Sequence, residues 1–191
     1  MATDLITWLR SKTFVLALLR KVQQETNSPL LAIIRAVLTR WTSHYLAFTR
    51  LLEISGPLKL LVSQEDLRGP DNQIITGDSK AKARARAMVR TIKNDTFWAA
   101  IQRMKTHLQP LALAANITQA AFCRLDEVLF TFGHLYREFD RLNQRADRHI
   151  REAVLASIER RWAKCDQDVF IVTAILNPFV DLRAFKQVSI L

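Results

Sequence analysis

Glycine is nearly absent from this sequence: four residues in 191, at Gly56, Gly69, Gly77 and Gly133. Tight hairpins need residues that accept positive φ, so a sheet assembled from many of them is excluded. Cysteine is scarcer still. Cys123 and Cys165 lie far apart and share no C-x-x-C spacing. That excludes a disulfide framework and reads as two buried thiols in a reducing compartment. No apolar run reaches the roughly 18 residues that span a bilayer. The run from Phe14 to Leu19 is short and meets Arg20-Lys21 at once, with no small-residue cleavage site after it. It reads as a buried helix face and not as a signal segment.

Catalytic patterns are equally sparse. There is no glycine-rich phosphate loop, nucleophile elbow or Cys/His pair. The histidines, His44, His107, His134 and His149, are scattered, and none has ligand spacing beside a cysteine or carboxylate. His134 falls on the apolar side of its helix and reads as a core residue. Asp126, Glu127, Glu138 and Asp140 interleave with Arg124, Arg137 and Arg141, the pattern of helix-surface ion pairs. A two-metal centre needs several converging carboxylates. No metal, cofactor or catalytic residue is therefore expected.

What the chain has is helix formers, an apolar content of 49% and a net charge of +10. The charge is local. Residues 1–78 carry 9 basic and 7 acidic side chains, and residues 108–191 carry 11 and 10. Residues 79–107 carry 8 and 1, a net +7. Within that segment Lys80, Lys82, Arg84, Arg86 and Arg90 alternate with alanines. On a helix Lys82, Arg86 and Arg90 share one face, and Lys80 and Arg84 a neighbouring one. One reading is a phosphate-contacting helix, with nucleic acid as the partner; the other is a solvated face. Phosphate contact positions a nucleic acid without reading its bases.

Taken in order, residues 4–25 have helical spacing from Leu5 to Val22, and Asn27-Ser28-Pro29 ends the pattern. Residues 30–38 are apolar apart from Arg35 and leave strand and helix both open. A helix is expected over 44–54, a break at Ser55-Gly56-Pro57 and a short helix from Leu58 fading by Asp66. Loop signals fill 67–79, with Ile74-Ile75 as a short strand or a packed pair. Ser79 is the expected N-cap of the basic helix 80–93. Helices follow at 96–107, 118–142 and 148–164, with Pro110 starting or kinking a turn over 110–116. Residues 168–176 are apolar from Val169 to Leu176 and are expected to be buried on all sides. Asn177-Pro178 ends them, and Val180–Phe185 suggests a last helical turn. No repeat of 20–50 residues is present.

Arg40-Trp41 sits where the apolar run hands over to a helix. A tryptophan there stacks on an unpaired base while the arginine holds a phosphate, or it is a core residue beside a surface arginine. The residues alone favour the second reading.

The stretch Thr39-Arg40-Trp41-Thr42-Ser43-His44-Tyr45 resembles the T-R-W-x-S-x-Y signature of hAT-superfamily transposases and their domesticated relatives. Asp95-Thr96-Phe97-Trp98 and Leu108–Ala112 are similar to the early helices of that family's insertion domain, and Leu176-Asn177-Pro178 to its L-[DN]-P motif. The resemblance implies a mainly α fold: a helical insertion domain with at most one or two edge strands of an incomplete RNase H-like core. It implies a core remnant over 1–40, the insertion domain over 41–176 and a return segment over 177–191. Arg40 and Trp41 carry over as residues near DNA. The family cleaves DNA with metal-bound carboxylates. The residues before Thr39 hold one aspartate, Asp4, and no histidine. The expectation is a nuclear, transposon-derived, non-catalytic fragment that binds DNA without sequence preference. The alternative is an assembly domain that pairs its exposed apolar helices with a partner core.

Overall fold

The computed structural model describes residues 1–37 and 41–181, apart from the side chain of Trp41. The architecture is mainly α, and the described residues contain no strand. The chain divides into two compact units, Met1–Gln109 and Pro110–Leu191.

The first unit begins with α1 (Ala2–Arg10) and α2 (Thr13–Glu25). They replace the single helix expected over 4–25. Ser11 donates its hydroxyl to the Trp8 carbonyl at 2.8 Å, which closes α1 and frees the chain to turn. After α2 residues 28–37 have no regular secondary structure, so the chain forms neither of the two structures left open for it. Side chains hold it instead. Gln23 donates to the Leu31 carbonyl (3.3 Å), Arg50 to Ala32 (2.8 Å) and Arg10 to Ile33 (2.9 Å). Ser43 accepts from the Val37 amide and donates to its carbonyl, both at 2.8 Å.

Helix α3 (Trp41–Glu53) follows, then α4 (Ser55–Ser63). Ser55-Gly56-Pro57 does not break the chain beyond one residue. Proline in a first helical turn lacks only a donor that has no intrahelical acceptor, so these residues start α4. Helix α4 packs against α2 and α5 (Ser79–Lys93), with Leu58 and Leu61 fully buried. Helix α6 (Asp95–Thr118) begins in the first unit and contributes Phe97, Trp98 and Ile101 to the same core. The Trp98 indole donates to the Ile92 carbonyl at 2.7 Å, which satisfies the one polar atom of a buried ring.

Between α4 and α5 the expected loop is present, as two 3₁₀ turns and irregular chain. Glu65, 4% exposed, fastens it. Its carboxylate accepts the amides of Ile74 (2.7 Å) and Ile75 (2.8 Å) and a bond from Arg68 at 3.2 Å. Ile74 is buried, so the isoleucine pair packs and makes no strand.

Helix α6 runs through Pro110 where a new turn was expected, and ends at Thr118, the residue expected to open the next helix. Residues 119–124 are irregular and Phe122 is 92% exposed. The second unit then has α7 (Leu125–Asp140), α8 (Arg148–Trp162) and α9 (Gln167–Leu176), with α7 packed on both α8 and α9. Phe132, Trp162 and Phe170 form an aromatic row with centroids 5.7 and 6.0 Å apart. Helix α9 is not enclosed as its composition implied. Only Ala174 is buried, while Ile175 and Leu176 are 52% and 74% exposed. Valine, isoleucine and leucine fix how apolar a helix is, not how much surface exists to cover it. The expected turn over 180–185 falls largely outside the described residues, and Val180 and Asp181 are not helical.

The junction of α7 and α9 corrects the reading of Asp126. It is buried and is no ordinary surface pair. Arg124 donates to both its oxygens (3.1 and 2.9 Å), and the Asn177 amide donates to one of them at 2.5 Å. The Arg124 bonds, and then the Asn177 bond, hold the carboxyl below the ordinary carboxylate range, against the opposing effect of burial. A depressed folded value contributes stability that is complete above the unfolded value and is lost as pH falls through the folded one. Acid titration should therefore loosen α9 from α7, and Asp126→Asn should flatten that dependence. Amide exchange in α7 and α9 across the acid range checks this; unchanged acid sensitivity in the variant would refute it.

Candidate nucleic-acid interface

Helix α5 carries the basic segment. Gly77 (φ +99°) turns the chain in a conformation that disfavours a side chain. Asp78, not Ser79, is the N-cap: its carboxylate accepts the Ala81 amide at 2.7 Å. The alanines give the helix high intrinsic propensity. Ala85, Val89 and Ile92 turn inward and are buried, which fixes the rotation of α5 on α4 and α1.

That rotation exposes every expected cation of the helix: Lys80, Lys82, Arg84, Arg86 and Arg90. At 100° per residue the outward ridge is Ala83 and Ala87. Lys82, Arg86 and Arg90 line one side of the ridge, with Lys93, which the site assignment from sequence omitted. Lys80 and Arg84 line the other. Among the described residues no carboxylate pairs with Lys80, Lys82, Arg86 or Arg90. Arg84 faces Asp4, whose carboxyl is lowered first by its bond to the N-terminal ammonium and last by Arg84. Like charges four residues apart repel by about 0.2–0.5 kcal/mol per pair. Helix α5 therefore carries unrelieved repulsion in the isolated chain.

Arg40 lies outside the described residues, and so does the Trp41 side chain, although Trp41 opens α3. The structure thus brings together the five cations of α5 and does not place the Arg40-Trp41 pair. His134 is exposed, not a core residue, and lines an apolar groove of about 530 Å³ between α7 and α8. Cys123 and Cys165 are half-buried free thiols. Among the described residues no group of three His, Cys, Asp or Glu is placed to hold a metal ion. Among them, too, no helix is long and apolar enough to cross a membrane.

No family model, curated protein or solved structure matches the chain.

Proposed function

We propose that this is a nucleic-acid-binding helical protein, hAT-like and transposon-derived, nuclear and without catalytic activity of its own. The observation that carries the reading is the exposed cation set on α5, arranged on both sides of an alanine ridge, in which Lys80, Lys82, Arg86 and Arg90 have no carboxylate partner among the described residues. Small ridge residues let a phosphate backbone approach the helix closely. Lysine and arginine on either side then reach phosphates on both flanks. The ridge offers no hydrogen-bonding side chain to a base edge, so binding is without sequence preference. Arg40 and Trp41 extend this interface by resemblance alone. Titration of a fluorescent duplex tests the reading: saturable binding at about 50 mM salt, equal for unrelated sequences, is expected. No binding at that salt refutes it.

A second reading, assembly with a partner core, is favoured by α9. Val172, Ile175 and Leu176 are at least half exposed on a helix with one charged residue, Asp168, on that side. Exposed apolar surface of this kind marks association sites. Concentration-dependent sedimentation that Ile175→Asp abolishes would support it. A monomer at every concentration would count against self-assembly.

A further inference from the structure

The two sides of α5 are not equivalent. Lys82, Arg86 and Arg90 face open solvent. Lys80 and Arg84 instead border a groove of about 290 Å³ in the first unit. Its opposite wall is the corner between α1 and α2, where Ser11 and Lys12 lie, and buried Trp8 lies beneath. Lys12, Lys80 and Arg84 thus converge on one small concavity from two separate stretches of chain. Among the described residues Lys12 and Lys80 have no ion-pair partner. The one acid of the lining, Asp78, is already engaged by the Ala81 amide as the helix cap. The capped helix end is therefore not what makes the groove attractive to anions; the three side chains are.

The geometry points to a site for a terminal phosphate of a nucleic-acid strand. The argument is charge matching. Three cations and one carboxylate leave the lining at a net +2, with Asp4, already bonded to the N-terminal ammonium, facing Arg84 from outside the lining. An internal phosphodiester carries a single charge and continues on both sides. A phosphomonoester carries about −1.5 to −2 charges at neutral pH and three acceptor oxygens. Lysine ammonium groups and an arginine fork supply charge-assisted donors to those oxygens. The volume admits a phosphate and part of its sugar, with the strand leaving along the Ala83–Ala87 ridge towards Arg86 and Arg90. The inference rests on the nucleic-acid reading above and assigns the end of the strand to a defined place.

The test compares oligonucleotides of one sequence bearing a 5′-phosphate, a 3′-phosphate or hydroxyl ends only. The full chain should prefer one phosphorylated end by roughly tenfold. Lys12→Gln should remove that preference and weaken the hydroxyl-ended oligonucleotide far less than the phosphorylated one, because Lys12 lies off α5 and its side chain is exposed. Arg86→Gln should weaken all three oligonucleotides alike and preserve the ratio. Equal affinity for all three ends overturns the terminal-phosphate site while leaving the general interface standing. Failure of all three to bind overturns both. Tighter binding of a phosphoserine peptide than of the phosphorylated oligonucleotide overturns a nucleic-acid end as the occupant.

Discussion

Duplex affinity should fall by roughly 500-fold between about 50 and 200 mM salt, with a log–log slope near −4.5, if the five α5 cations each neutralise one phosphate. The triple variant Lys82→Gln, Arg86→Gln, Arg90→Gln should cut the slope to about −2, because two cations of the set remain. Every altered side chain is exposed, and none bonds to another described residue. Stability should therefore not fall. It should rise slightly, since the variant removes the i,i+4 repulsions Lys82–Arg86 and Arg86–Arg90. Loss of binding together with a raised melting midpoint is the signature of a surface kept for a ligand at the expense of the free fold. A triple variant that loses binding by unfolding, or one that keeps the full slope, would remove α5 from the interface.

The second large effect concerns Glu65. Glu65→Ala should destabilise the first unit by about 3–5 kcal/mol, because it strands a buried amide and a nearly buried guanidinium together. Arg68 is 12% exposed at its side chain and Ile74 is 5% exposed, so water cannot readily replace the carboxylate at either. Glu65→Gln keeps one acceptor oxygen and should lose less. Denaturant melts of the two variants measure the difference, and a cost below about 1 kcal/mol for the alanine change would show that the loop holds without its latch.

Glu65 also shows where sequence reading stops. The loop itself was legible, because Gly69-Pro70 and Gly77-Asp78 are chemical punctuation that acts locally. Its fastening was not. A glutamate bonding amides nine and ten residues ahead leaves no periodic trace. Asp126 and Asn177 are a stronger case, 51 positions apart. Helix α5 was legible in both range and exposed face, since alanine propensity and a run of unpaired cations are properties of the segment alone. The cap shifted by one residue, to Asp78, because a carboxylate and a hydroxyl are both good caps and the turn at Gly77 decides between them. The place of Lys12 beside the foot of α5 was not legible. Nothing in residues 11–13 announces that the corner between two helices faces the foot of α5. Pro110 misled in the opposite direction: proline removes one donor, yet the flanking leucines and alanines carry the helix through it.

The irregular segment over 29–37 has a different kind of consequence. Its path is set by Gln23, Arg50 and Arg10, which grip the successive carbonyls of Leu31, Ala32 and Ile33. A carbonyl is present whatever the side chain, so the instruction for this shape is written elsewhere in the chain. Substitutions at exposed Leu30, Ala32 or Arg35 leave the grip intact. Drift would be silent there and costly at three polar residues in three helices, which makes the segment free to change its surface chemistry while its course through the fold is inherited.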